Sequence, residues 1–375
     1  MTHRLPGLTL ADVCVLDDTL QPVYNTYGPN TGVVIEPQSP FVMRRLQELV
    51  GNFTTLVPCD GIFQDQIGAR PWLADYSPLS GSLYAYMANW INQTLSHSAT
   101  GTVLMTEQGY DLLVGIEAGF HGSVLLAQYS YGDQTNGWWG DSNWYPFPLA
   151  PMMARPNVLF YQHNLDTTTY TVDLFYLSWN MAFGYQLSQD ALTIASNLTW
   201  LQAVVQMQND VLGLFAYDSV LAFDVQQYNS NSQATVTTTV FADHTVLFNQ
   251  NTDSTWSIDS SDICANGFLL TSSTVTAAAY CGAMNGVALS DGIQILIAFV
   301  LNATAVQIAQ PWGTTTPVGV DVPFAASQAS VVAVTSTGAQ LPTASSAIGA
   351  NTIAFTYSSS LDAQSIVHYI ATSRT

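Results

Sequence analysis

"CDGIFQDQIGARPW", Cys59 to Trp72, begins as a buried strand and ends in a cluster of polar and aromatic side chains. In a strand alternate residues share a face, so Gly61, Phe63 and Asp65 point one way and Asp60, Ile62 and Gln64 the other. If the first set faces the interior of a β/α barrel, Asp65 stands at the C-terminal mouth, where that architecture carries its chemistry. Asp60, about 16 Å back at ~3.3 Å per residue, belongs to the opposite end.

The next strand-like run repeats the arrangement. In "TVLMTE" Val103, Met105 and Glu107 share a face, and Glu107 ends the run. A third run, "NVLFYQHN", ends in His163, on the face of Leu159 and Tyr161. Adjacent parallel strands lie ~4.8 Å apart, so Asp65 and Glu107 can approach the ~5 to 5.5 Å separation of a retaining glycosidase pair. Such a pair needs one ionised carboxylate and one protonated carboxyl. Arg70, near in sequence, suits an ionised Asp65, and the apolar run before Glu107 suits a raised pKa there. The alternative is structural: Asp65 paired with Arg70, and Glu107 capping the next helix.

Up to residue 228 strand-like and helical runs alternate. "TGVVIEP" precedes "PFVMRRLQELVGNFTTL", whose Phe41, Leu46, Leu49 and Val50 fall at helical spacing, with Pro40 suited to the first turn. "GSLYAYMANWINQTL" reads as an amphipathic helix, "YDLLVGIEAGFHGSVLLAQ" as a helix or a helix plus strand, and "LFYLSWNMAFGYQLSQDAL" as a helix. This βαβα order predicts a parallel sheet covered on both faces, doubly wound or barrel-shaped. Beyond "QQYNSNSQ" the texture changes to short Thr/Val/Ala-rich strands at intervals of about 10 residues, which predicts an all-β sandwich over 229–375.

Composition narrows the partners. Among 375 residues, 26 acidic side chains face six arginines and no lysine, a net charge of −20. With no basic stripe to displace counterions, nucleic acid is excluded, and an anionic membrane is disfavoured. "GIQILIAFVL", Gly292 to Leu301, is about half a membrane span, and the first residues lack the apolar stretch of a signal peptide. A surface rich in Ser, Thr, Asn, Gln and Gly nevertheless suits a secreted protein. Sequons at Asn52, Asn92, Asn197 and Asn302 offer glycosylation sites, although a chain rich in Asn and Thr also yields sequons by chance. Cys14, Cys59, Cys264 and Cys281 lack zinc-site spacing, which leaves disulfides or buried thiols, and Cys264 with Cys281 is the expected pair. No metal or organic cofactor is expected.

In "NGWWGDSNWYPFP", Asn136 to Pro148, Trp138, Trp139, Trp144 and Tyr145 sit in an otherwise polar stretch. Exposed aromatic faces suit the apolar faces of sugar rings, and the alternative is a loop folded onto the rest of the chain.

Together "GVVIEPQSPFVMRRLQELVGNFTTLVPCDGIFQDQIGARPWLADYSP", "LMTEQGYDLL" and "NVLFYQHNL…LSWNMAFGYQLS" resemble an uncharacterised glycosidase-like family related to retaining α-glycosidases of the α-amylase and endo-α-N-acetylgalactosaminidase kind. The resemblance covers most of residues 15 to 225, and D-Q-x-G-A-R-P-W is its most specific element. It implies a catalytic (β/α)8 barrel, here residues 1–228, followed by the β-sandwich. It also implies that Asp65 is the nucleophile, that Glu107 is the acid/base, and that Gln64, Arg70, Trp72 and His163 line the sugar subsite. With "DGIFQD" as the family's fourth strand, about 60 residues precede it, too few for three βα units. The barrel is therefore expected to be partial and to lack its first strands. The expected activity is hydrolysis of O-glycosidic bonds in an oligosaccharide, polysaccharide or glycoconjugate. The alternative is a non-catalytic carbohydrate-binding or cell-surface protein derived from a glycosidase.

Overall fold

The computed structural model describes residues 7–57, 59–70, 72–121, 147–161, 174–187, 197–228, 234–361 and 364–373. The chain forms two compact units, Met1–Ser123 and Val124–Thr375.

The first unit opens with a hairpin, β1 (Tyr24–Tyr27) and β2 (Asn30–Val33), paired antiparallel. "TGVVIEP" therefore belongs to a hairpin and not to the parallel sheet that the βαβα reading assigned it to. Helix α1 (Pro40–Leu56) starts as its sequence predicts, with Pro40 in the first turn and the Ser39 hydroxyl accepting from the Val42 N–H at 3.5 Å. Strand β3 (Gly61–Gln64), helix α2 (Tyr86–Ser98) and strands β4 (Val103–Glu107) and β5 (Gly119–His121) follow. Helix α2 buries Tyr86, Trp90, Gln93 and His97, a stripe at spacings of four, three and four that keeps one face turned inward.

Strands β3, β4 and β5 pair in parallel, with Gln64 opposite Thr106 and Glu107 opposite His121. Leu104, Thr106 and Phe120 are buried on one side of this sheet. Of the two readings of "YDLLVGIEAGFHGSVLLAQ", a helix or a helix plus strand, the second is the nearer: a single 3-10 turn, Asp111–Leu113, precedes β5. Gly115, at φ +83°, is one residue that a continuous helix could not accommodate there. The described residues of this unit contain three parallel strands and no closed barrel.

The second unit is dominated by antiparallel strands. Val220–Tyr228, Ala234–Phe241, His244–Asn249, Phe268–Ser272, Val275–Tyr280, Gln294–Asn302, Ala305–Trp312, Gln364–Ser373, Ala329–Thr335 and Gln340–Thr343 lie side by side in that order. A smaller sheet of Thr316–Asp321, Thr352–Tyr357 and Ser345–Ala347 packs onto it through Val318, Val320, Ile353 and Phe355, against Val306, Ile308, Val331 and Tyr369. This is the layered antiparallel architecture that the Thr/Val/Ala texture predicts. The texture change at residue 228 falls between two strands that hydrogen-bond to each other in the large sheet.

Upstream of the large sheet, helix Leu174–Phe183 is buried nearly all round. It stops short of the expected 192 because Gly184 turns to φ +76°, where a Cβ would lie 3.1 Å from the Arg155 side chain. Cys264 and Cys281 form the expected disulfide, with Cα atoms 4.9 Å apart, while Cys14 is buried and Cys59 exposed as free thiols. Among the described residues no helix is long and apolar enough to cross a membrane.

Candidate active site at the parallel strand ends

The register aligns three polar side chains. Asp65 follows Gln64, which pairs with Thr106, and Glu107 follows Thr106 and pairs with His121. By strand alternation Phe63 and Asp65, Met105 and Glu107, and Gly119 and His121 share one face. The Phe63 and His121 rings meet edge to face at 5.6 Å, a diagonal contact across that face. Gly119 leaves the room, since a Cβ there would come within 2.7 Å of the Met105 methyl carbon. Asp65 is exposed, whereas Glu107 and His121 are half-buried.

Both carboxylate-bearing strands end in the same way. Gln66 and Gln108, the residues after Asp65 and Glu107, adopt left-handed backbone at φ 61° and 56°. The buried Thr106 hydroxyl ties the two turns together: it accepts from the Gly68 N–H at 2.8 Å and reaches the Gln64 carbonyl at 3.0 Å. At Gly68 a Cβ would stand 2.7 Å from the Glu107 carbonyl oxygen, so the turn after Asp65 lies directly on the turn after Glu107. The Gln108 N–H then donates to the His121 carbonyl at 2.6 Å, which extends the tie to the third strand.

Among the described residues no ion pair joins Arg70 to Asp65, whereas Arg44 and Arg45 both pair with Glu48. Arg70 lays its guanidinium over the Trp90 ring, 4.5 Å from the centroid, and donates to the Tyr86 hydroxyl at 3.3 Å. Its carbonyl accepts from the Tyr110 hydroxyl. Tyr110 in turn meets Trp72 edge to face at 6.3 Å, and Trp72 is 58% exposed. Each strand-end loop thus contributes one aromatic side chain to a pair. Tyr110, not Glu107, occupies the N-cap of the 3-10 turn that follows β4.

Alternation sends Gln64 to the face opposite Asp65. Its side-chain amide lies 3.3 Å from His97 Nδ1, and the Gln93 amide lies 3.1 Å from His97 Nε2. Burial holds the imidazole below its usual pKa. These groups line a cavity of about 270 Å3 between α1, α2 and β3, walled by Leu46, Leu49, Phe53 and Trp90, and Asp65 and Arg70 also border it. His163, Trp138 and Trp139 lie outside the described residues.

Sequence reasoning missed three groups. His121 completes the row of strand ends, and the alternation in "GFH" is its signal once β5 is known. Tyr110 sits in "EQGYD" without periodicity to mark it. Glu117 is 1% exposed, both its oxygens lack a hydrogen-bond partner, and burial pushes its pKa up to about 7.

The sequons have varied surroundings. Asn197 caps helix Leu198–Asp210 by accepting from the Trp200 N–H at 3.1 Å. Asn302 accepts from the Thr304 N–H and hydroxyl, both at 2.8 Å. Asn52 and Asn92 are exposed on α1 and α2, though the sequon residue Thr94 is buried.

No protein-family model and no curated protein matches the chain. Among solved structures it is similar to the ligand-free α-N-acetylgalactosaminidase NagBb from Bifidobacterium bifidum, at 14% identity over 65% of this chain and a TM-score of 0.49. It is also similar to a noncanonic maltogenic α-amylase, AmyB from Thermotoga neapolitana, at 7% identity over 96% of this chain and a TM-score of 0.38. The chain spans 38% of the NagBb chain and 72% of the AmyB chain, and at these identities neither likeness assigns a role to any residue.

Proposed function

We propose that the chain is a glycoside-hydrolase-like protein that hydrolyses O-glycosidic bonds by double displacement. The supporting observation is that Asp65 and Glu107 end neighbouring parallel strands in register on one face. Strands ~4.8 Å apart suit the ~5 to 5.5 Å of a retaining pair better than the ~6.5 to 9.5 Å of an inverting one.

The exposed Asp65 attacks the anomeric carbon while Glu107, beside it and less solvated, gives its proton to the leaving oxygen. Glu107 then takes a proton from water, whose oxygen displaces Asp65 and releases the sugar. Trp72 and Tyr110 offer aromatic surface to the apolar face of a ring. The Cys264–Cys281 disulfide favours an oxidising, secreted setting for this activity.

The test is a panel of aryl O-glycosides followed by NMR of the first-formed anomer, with a mechanism-based fluorosugar to trap the intermediate. Retention with the label on Asp65 supports the reading. Sugar binding without turnover that survives both Asp65→Asn and Glu107→Gln would replace it with a carbohydrate-binding protein.

A further inference from the structure

Away from the strand ends, the first unit buries two carboxyl groups against each other. Glu36 is 0% and Asp75 2% exposed, and the two side chains lie within hydrogen-bond reach. One oxygen of each is satisfied by backbone: Glu36 Oε1 accepts from the Gln38 N–H at 2.8 Å, and Asp75 Oδ1 from the Leu16 and Ser77 N–H groups at 3.1 and 2.8 Å. The remaining oxygens, Glu36 Oε2 and Asp75 Oδ2, are buried with no donor. Two facing acceptors in a buried site repel unless a proton stands between them, and a single proton satisfies both.

The pair sits where three segments meet. The Glu36 N–H donates to the Val13 carbonyl, Cys14 bridges to Ile35, and the Tyr76 N–H donates to the Leu16 carbonyl. Ser39, at the start of α1, donates its hydroxyl to the Asp12 carbonyl at 2.6 Å. The N-terminal segment is thus held to α1 and to the Asp75–Ser77 loop around the carboxyl pair. The other ionisable groups facing it are the Cys14 thiol, raised by burial and then by the Asp75 charge, and Tyr86 of α2, which feels both Glu36 and Arg70. Arg70, in the loop after β3, is the nearby cation, and it engages Tyr86 and Trp90.

We propose that Glu36 and Asp75 share one proton, and that this proton is a pH-sensitive lock fastening residues 13–16 to the first unit. Burial first, and Asp75 second, push the Glu36 carboxyl from the usual 4.5 up to about 8. Between those values the unfolded chain has released a proton that the folded one keeps, so the lock is fully closed below about 4.5 and weakens as pH rises towards 8. Above that, two charged carboxylates face each other in a buried site.

The test is hydrogen exchange of the Leu16, Gln38 and Ser77 amides in the full chain, corrected for intrinsic rates, at pH 6 and pH 9. Protection in the wild type is expected to fall at least about tenfold at pH 9. In Glu36→Gln, whose amide can donate to Asp75 without titrating, it is expected to stay level. Asp75→Asn provides the same check with the donor on the other side, should the first variant fail to fold. Equal wild-type protection at both pH values, or an unchanged fall in both variants, overturns the proposal. The outcome is independent of whether the strand-end carboxylates hydrolyse sugars.

Discussion

Gln66 and Gln108 stand in the same place on neighbouring strands, each one residue past a carboxylate and each in left-handed backbone, at φ 61° and 56°. A non-glycine residue in that region costs roughly 1 to 3 kcal/mol, and it persists where surrounding contacts over-determine it. Here those contacts are the Thr106 hydroxyl, the Gly68 approach and the Gln108 hydrogen bond to β5. The consequence is a pair of matched turns that aim Asp65 and Glu107 from rigid strand ends.

Gln108→Gly is expected to leave stability unchanged or raise it by up to about 1 kcal/mol, because glycine adopts the left-handed region freely. Gln108→Val is expected to lower it by about 1 to 2 kcal/mol, since a β-branched residue is strained there. Urea denaturation of both variants checks the pair, and equal stability would remove strain as a feature of this turn.

Thr106→Val deletes the buried hydroxyl that the Gly68 N–H and the Gln64 carbonyl both use, at an expected cost of about 1 to 3 kcal/mol. Thr106→Ser keeps the hydroxyl and should recover most of that loss. If the proposed hydrolysis operates, Thr106→Val should lower kcat more than it raises KM, because the carboxylates lose alignment while the sugar platform at Trp72 and Tyr110 remains.

If the proposed hydrolysis operates with Asp65 as nucleophile, Asp65→Asn is expected to reduce turnover by a factor of ~10^3 or more. Glu107→Gln should spare aryl glycosides whose leaving groups need little protonation, and should abolish activity on alkyl ones. Steady-state kinetics on matched aryl and alkyl substrates, with circular dichroism to confirm folding, separates the two roles.

In the second unit acid has the opposite effect to that expected at Glu36. His244 is stacked between Phe215 and Phe241, with centroids 4.3 and 4.1 Å away, and bonds Asp218 at 2.9 Å. Burial outweighs the Asp218 partner and pushes the imidazole from 6.5 down to about 4. The unfolded chain takes up the proton first, so stability is present above about 6.5 and is lost as pH falls towards 4. Melting curves from pH 7 to pH 4 should show the antiparallel region weakening, with the effect reduced in His244→Gln.

The disulfide closes a loop with 17 residues of separation, for which loop entropy gives about 3 kcal/mol. Reduction, or paired Cys264→Ser and Cys281→Ser changes, should therefore lower stability by that order. Native alkylation read by mass spectrometry should label the exposed Cys59 and spare Cys14, which is buried and bonded to the Leu10 carbonyl at 2.7 Å.

Period-two alternation is a local property of the chain, and it was enough to assign Asp65 and Glu107 to strand ends and to a shared orientation. The helical stripe of α2, the first turn of α1 with Pro40 and the antiparallel texture after residue 228 were legible for the same reason: each depends on neighbours within one or two turns. Register, by contrast, is a relation between segments far apart in the chain. Adjacent strands for Asp65 and Glu107 were expected from the sequence, but only the tertiary structure decided their register and put His121 beside Glu107, where Gly119 makes room and Thr106 joins the two turns. It likewise put Gln64 on the helix side with His97, and paired "TGVVIEP" with an upstream strand. Glu36 and Asp75 look like ordinary solvated carboxylates when read singly, and their encounter arises from burial and packing, which no local pattern encodes.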